Sequence, residues 1–224
     1  MNTKELDARV RSLDDRLRAI EDMEGIENLL RIYGQYLDYS MWDKVVDLFS
    51  DNTESIEIGA AGIFLGKAGV ERMFRLIAEN REEFSPQGDL HGMVVPRKFF
   101  HMIMIGQPVI DIDPGGKAAY GRWQALECAT RYIGGTWTQY WGGGIYESEY
   151  IKEDGRWKFK KLHFYLIFKT PYHESGLPKT QINYYHSSPD STLHPDRPTT
   201  FDHRYPDPEC CTVPFHYRHP ITGQ

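Results

Sequence analysis

The chain has 224 residues, 40% hydrophobic and 26% charged, with 26 Lys and Arg against 32 Asp and Glu and a formal charge of −6. That is an ordinary globular composition, with room for one enzyme-sized core and at most an appendage. It argues against a nucleic-acid partner, since no Lys/Arg block occurs, and against a membrane span, since no apolar run approaches the roughly 18 residues one needs. The opening stretch MNTKELDARV carries no apolar run, so no secretory leader is read there and the cytoplasm is the expected compartment. Three cysteines, Cys128 and the adjacent Cys210 and Cys211, match neither a disulfide framework nor a zinc motif. Aromatic residues make up 13%, including 14 Tyr, which points to an aromatic-lined pocket or interface.

Residues 4 to 39 read as helix. Leu6, Val10, Leu13, Leu17 and Ile20 are spaced four and three apart, and the stripe then shifts to Met23, Ile26, Leu29, Leu30, Tyr33 and Leu37. Gly25 is expected to mark a bend between an outer, oligomer-facing part (1–22) and an inner part that packs on the body. One amphipathic helix lying wholly on its own core is the other reading. A short helix near Met41 to Phe49, a strand at 55–59 and a helix from Lys67 to Asn80, with Val70, Met73, Phe74 and Ile77 on one face, follow.

From Pro96 the pattern becomes long β segments rich in Trp, Tyr, Ile and Phe, placed near 98–112, 117–131, 136–152 and 156–168. The breakers between them are Asp113-Pro114-Gly115-Gly116, Gly134-Gly135 and Glu153-Asp154-Gly155. Gly142-Gly143-Gly144 falls inside the third long strand, where glycine means a bulge, a bend or a close backbone approach. No helix start follows it, so it is no phosphate loop and no cofactor is expected. Helices followed by a meander of long strands define an α+β fold, an antiparallel sheet curled around a helix-capped cavity over 23–168.

Beyond Phe168 the composition changes, with nine of the thirteen prolines and six of the nine histidines in 170–224. Residues 169–224 are read as an extended arm laid over the body or a neighbour, with too many aromatics for a disordered tail.

Asp38 ends the long helix among Tyr33, Tyr36, Tyr39 and Trp42, a partly apolar place where desolvation would favour it as a base; capping the next helix is its bland role. His101 lies on a strand face with Phe99, Ile103 and Ile105, where an imidazole is as commonly structural as catalytic. Facing one cavity, the two would make a base that needs no metal. Arg122 would supply a donor for developing negative charge, or else a salt bridge at the rim. Tyr132, Tyr140 and Tyr146 are candidate hydrogen-bond donors to a substrate oxygen. His216 and His219 have the i, i+3 spacing of metal sites, but an irregular segment presets no geometry and no metal is assigned. Cys128 reads as a core residue.

Tyr33, Asp38, Met41-Trp42-Asp43, Gly121-Arg122-Trp123 and Asp154-Gly155-Arg156-Trp157-Lys158-Phe159, in this order and spacing, resemble the SnoaL-like branch of the nuclear transport factor two-like superfamily. The resemblance covers roughly residues 10 to 168 and is similar to that of bile acid 7α-dehydratases and scytalone dehydratases. It implies a cone-like α+β barrel, a curved antiparallel sheet wrapped by N-terminal helices around one pocket, and lyase chemistry on an Asp–His dyad without cofactor.

By that resemblance Asp38, His101 and Tyr33 are the catalytic set. Trp42, Tyr39, Arg122, Tyr140, Tyr146 and His91 line the substrate site, and His91 is the alternate histidine. Departures from the scytalone dehydratase pattern are Tyr146 in place of an Asn, and Gly121 or Arg122 in place of a second His. The expected substrate is a small hydrophobic, hydroxylated aromatic that loses water or, like the diarylpropane diols of lignin, formaldehyde. The resemblance also implies a homo-oligomer, dimer or trimer. The alternatives are a non-catalytic small subunit of an aromatic-ring dioxygenase and a ketosteroid-type isomerase.

Overall fold

The computed structural model describes residues 2–81, 100–133, 136–172, 194–201 and 212–223. Helix α1 (Thr3–Asp38) starts where Asn2 accepts from the Glu5 N–H while the Glu5 carboxylate accepts from the Asn2 N–H, a reciprocal cap. The helix is continuous through Gly25. Gly25 serves a packing purpose there: a Cβ at this position would stand 3.0 Å from Cδ1 of Trp157, so the glycine lets the indole lie against the helix.

The two halves of α1 differ. Leu6, Val10, Leu13, Leu17 and Ile20 are 46–61% exposed, whereas Ile26, Leu29, Leu30 and Tyr33 are buried. The stripe of the first half therefore touches none of its own core. The helix enters the body at Asp22, which accepts from the Trp157 indole N–H at 2.9 Å and is paired with Lys152.

Helix α2 (Trp42–Asp47) packs on α3 (Gly66–Arg81), whose Val70, Met73, Phe74 and Ile77 are all buried. Between them run β1 (Ser55–Ile58), a short 3₁₀ turn (Gly59–Ala61) and β2 (Ile63–Leu65). Four long strands follow: β3 (Phe100–Ile112), β4 (Ala118–Ile133), β5 (Thr136–Glu153) and β6 (Arg156–Pro171). The β3–β4 turn closes when Asp113 Oδ1 accepts from the Lys117 and Ala118 N–H groups. At the β5–β6 turn Asp154 and Gly155 both adopt positive φ, 48° and 74°, a conformation glycine takes without strain.

Among the described residues the sheet has six strands in the order β2-β1-β6-β5-β4-β3. It is open and mixed, and not antiparallel throughout: β1 follows α2 and is not joined to β6 by a hairpin, so no turn fixes its direction, and it pairs parallel with β6. Strand β6 also runs three residues beyond the expected Phe168, through Lys169 and Thr170 to Pro171, paired with Tyr140 to Gly142 of β5. Register shifts at Gly106/Val109, Gly143/Gly144 and Glu149/Tyr150 break the pleat and curve the sheet.

On the face under α1 lie Ile103, Trp123, Tyr146, Tyr150, Phe159, Leu162 and Phe164, packed against Ile26, Leu30 and Tyr33. Each such fully buried side chain contributes about 1.5–3 kcal/mol relative to exposure. No helix among the described residues is long and apolar enough to cross a membrane.

The described parts of the arm lie along the β2 edge and on the opposite face of the same chain's sheet. Arg197 bridges to Ile63 beside β2, and Asp196 accepts from the Leu65 N–H and the Arg72 guanidinium. Buried Glu57 accepts from the Thr199 hydroxyl, the Thr200 N–H and the Thr200 hydroxyl. A second piece, Thr212 to Tyr217, is fastened through Arg122 and Glu147.

Candidate functional site

The sheet register builds the site in rows. His101, Ala129, Tyr140 and Pro171 lie across β3, β4, β5 and β6, and the next row is Ile103, Glu127, Gly142 and Lys169. Helix α1 reaches β3 through Gly34, where a Cβ would stand 3.2 Å from Ile105 Cδ1 and 3.6 Å from Ile103 Cγ2. Asp38, four residues on, shares that helical face and so meets the strand directly.

Asp38 Oδ1 accepts from the Ile103 N–H at 2.9 Å and lies 2.9 Å from His101 Nδ1. The first contact satisfies an N–H on the outer side of an edge strand; the second orients the ring. The carboxylate therefore does more than cap the next helix, whose N-cap residue Met41 has no side-chain cap bond.

On its other side His101 Nε2 lies 3.4 Å from Glu127 Oε1. Lys169 Nζ donates to both oxygens of Glu127, at 2.9 and 3.0 Å. The side chains of Asp38, His101, Glu127 and Lys169 are all within 8–12% exposure, so the chain of charges is almost wholly desolvated. Burial pushes the Glu127 carboxyl up, but the Lys169 ammonium and the His101 ring more than reverse this and hold it well below the usual carboxylate range.

The Glu127–Lys169 pair spans the intervening strand over Gly142. A Cβ there would lie 3.1 Å from Glu127 Oε2 and 3.6 Å from Lys169 Cγ, so the glycine makes room for the two side chains to meet. Neither residue was among those expected from the sequence. Glu127 follows Trp123 and Ala125 on the inward, largely apolar face of β4, where no charge was expected, and Lys169 was assigned to the arm because β6 was ended at Phe168, three residues early. The usable signal was the glycine run inside a strand, which marks a close approach from outside that strand.

Among the other expected residues, Tyr33 is fully buried, edge-on to Tyr146 (5.9 Å) and Phe159 (5.4 Å), and Tyr146 lies 4.5 Å from the Phe164 ring. Trp42 is buried and stacked on Phe74 at 5.7 Å, and Tyr140 is buried in the row of His101. Tyr39, the C-cap of α1, is 48% exposed.

Arg122 is placed away from this cluster. Strand alternation turns Trp123 inward and Arg122 to the outer face, where its guanidinium pairs with Glu147, donates to the Pro214 carbonyl at 2.8 Å and covers the Phe215 ring at 4.3 Å. Glu147 also meets His216 Nδ1 at 2.7 Å, and His216 Nε2 lies 3.6 Å from Asp111. A cavity of about 200 Å³ under this piece of arm is lined by Tyr120, Lys161, His163 and Tyr165 among others. Burial pushes the Tyr165 hydroxyl up to about 12.

Of the described arm histidines, His219 Nδ1 accepts from the Ile221 and Thr222 N–H groups, whereas His216 is held by Glu147. Among the described residues no three His, Cys, Asp or Glu side chains are grouped to hold a metal. His91, the Gly134-Gly135 turn, the Tyr132 side chain, Cys210, Cys211 and much of the arm lie outside the described residues.

An α+β sheet wrapped by helices, with a carboxylate–imidazole pair where the long helix meets the edge strand, defines a pocket-fold protein of the nuclear transport factor two-like kind. Residues 18–163, more than half of the chain, match the SnoaL-like domain, and the chain belongs to that family. Solved structures share the fold. A putative scytalone dehydratase from Novosphingobium aromaticivorans is 18% identical, with TM-score 0.55 over 74% of this chain and 98% of that one. LinA is 14% identical, with TM-score 0.57 over 74% and 99%. The LinA-type3 hexachlorocyclohexane dehydrochlorinase from Novosphingobium barchaimii is 15% identical, with TM-score 0.54 over 73% and 99%.

Proposed function

We propose that this chain is a cofactor-independent lyase that forms a C=C bond in a hydroxylated aromatic substrate by acid–base catalysis. The observation that carries the reading is the 2.9 Å contact of Asp38 with His101 Nδ1 in a desolvated site, which orients the ring so that its other nitrogen, 3.4 Å from Glu127, is the one to move a proton. It is supported by the solved structures that share the fold, a putative scytalone dehydratase and a hexachlorocyclohexane dehydrochlorinase, whose reactions are both eliminations.

In a dehydration the substrate gives up a C–H proton, its C–O bond breaks, and the departing hydroxide takes a proton to leave as water. On a diarylpropane diol the base takes the proton of the terminal hydroxyl, the C–C bond to that carbon breaks, and formaldehyde leaves. The freed electron pair forms the double bond as the benzylic hydroxyl departs as water, giving a stilbene. Neither route needs an oxidant. Tyr140, in the same row of the sheet as His101 with Ala129 between them, takes the role of holding the departing or phenolic oxygen. Tyr33, Trp42 and Tyr146 supply the aromatic wall, with Tyr39 at its exposed end. General acid–base catalysis supplies roughly 10²–10⁴-fold and positioning the rest.

The test is incubation with a panel of hydroxylated aromatics, diarylpropane diols included, followed by ultraviolet absorbance of a new conjugated alkene together with a formaldehyde assay. Alkene with formaldehyde assigns the deformylating reaction, and alkene alone assigns dehydration. A product of unchanged mass is isomerisation and overturns the proposal.

Assembly is part of the same proposal. The exposed stripe Leu6, Val10, Leu13, Leu17 and Ile20 has the spacing of a helix that packs on another helix, and a second copy of this chain is the occupant that suits it. Light scattering on Leu13→Glu with Leu17→Glu should show monomer where the unaltered chain shows a dimer or trimer; equal masses overturn it.

A further inference from the structure

His101 stands between two carboxylates, Asp38 at 2.9 Å from Nδ1 and Glu127 at 3.4 Å from Nε2. A neutral imidazole has one N–H, so it donates to one carboxylate and turns a lone pair toward the other; the imidazolium donates to both. The charged groups facing the ring come from three elements, Asp38 from α1, Glu127 from β4 and, behind Glu127, Lys169 from β6, and Tyr140 of β5 flanks it by register. Among the described residues, the two carboxylates and one ammonium at the ring sum to one negative charge in a nearly dry site, and an imidazolium balances it. Lys169 engages both Glu127 oxygens, so Glu127 stays ionised and is a poor acceptor for the ring proton.

We propose that Glu127 and Lys169 are positioning residues that keep His101 doubly protonated, so that the ring enters the reaction as its proton donor. The catalytic meaning rests on the elimination reading above; the charge state does not. The contact on the Glu127 side is the longer one, so the Nε2 proton is the more loosely held and the one available. In the elimination the C–O bond breaks, its electron pair takes the Nε2 proton, and water leaves. The ring, still held by Asp38 through Nδ1, then recovers the proton that the substrate releases.

The experiment is NMR titration of the full chain carrying ring-¹³C histidine, with the His101 signal assigned by its loss in His101→Phe. In the unaltered chain the His101 midpoint should lie above about pH 7, beyond that of an ordinary histidine. Glu127→Gln should lower it by about one pH unit, a tenfold loss of proton affinity. The double variant Glu127→Gln with Lys169→Met leaves Asp38 as the one charge at the ring, the same net charge as in the unaltered chain, and should keep the midpoint above that of an ordinary histidine, which keeps the test open if the single variant does not fold; a midpoint at the ordinary value overturns the proposal. A ring already neutral at about pH 6, or a midpoint unmoved by Glu127→Gln, overturns the proposal. An imidazolium in a chain that turns over no member of the aromatic panel leaves the charge assignment standing and removes the elimination reading. Alkene formation by a chain with a neutral ring does the reverse.

Discussion

The two faces of the sheet each carry a glutamate shared between an imidazole and a cation: Glu127 with His101 and Lys169 inside, Glu147 with His216 and Arg122 outside. In both, a second carboxylate stands on the far side of the imidazole, Asp38 in one case and Asp111 in the other. The supports differ. Every inner residue is fixed by a strand or by the end of α1, and Asp38 is buried. The outer histidine arrives on the arm, and the Asp111 side chain is 58% exposed. Similar residue types thus meet at the proposed proton-handling centre where regular elements converge, and in a latch where an extended segment is fastened to a sheet. The rigidity of the supporting elements and the exposure of the second carboxylate, more than residue identity, separate the two.

The largest expected contrast is in turnover. His101→Phe and Asp38→Asn should lower alkene formation by roughly 10²–10⁴-fold with unchanged circular dichroism, while Arg122→Ala and His216→Ala should leave it within about threefold. Comparable losses on both faces would break the distinction.

Stability comes next. Glu127→Ala leaves the Lys169 ammonium buried without its counter-ion and should cost about 3–5 kcal/mol by urea unfolding, whereas Glu127→Gln with Lys169→Met together should cost distinctly less. His216→Ala, which removes one link of the latch, should cost only about 0.5–1.5 kcal/mol.

The pH dependence follows from Glu127. Its carboxyl is held below the ordinary value of 4.5, so it stabilises the fold fully above that value, and the contribution is lost as pH falls through the depressed folded value. Unfolding free energy measured from about pH 6 downward should decline more steeply below 4.5 in the unaltered chain than in Glu127→Gln. Parallel curves would show that Glu127 is not selectively stabilised as the anion. The smallest effect concerns the crossing point: Gly142→Ala should cost about 1–3 kcal/mol and shift the His101 titration, because the added methyl presses on Glu127.

Much of this architecture was legible in the sequence, because amphipathic periods and breakers act locally. The helix over α3 and three of the four long strands are placed to within two residues. Asp38 and His101 stood out as a carboxylate among aromatics and an imidazole on an apolar strand. The resemblance of the surrounding motifs paired them. What stayed hidden depends on register between distant segments. Glu127 and Lys169 are 42 residues apart on strands that do not touch, and only the alignment of both with Gly142 brings them together. The inward turn of Trp123, which sends Arg122 to the other face, and the parallel pairing of β1 with β6 are likewise set by tertiary docking.

The central claim is that the Asp38–His101 pair performs the chemistry. The most direct measurement compares the unaltered chain with Asp38→Asn on one panel substrate, following alkene absorbance and product mass together. Alkene of lower mass than the substrate from the unaltered chain, with at least a hundredfold slower formation by Asp38→Asn, is the expected result at the lower bound of roughly 10²-fold for acid–base catalysis. Equal rates from the two chains would contradict it.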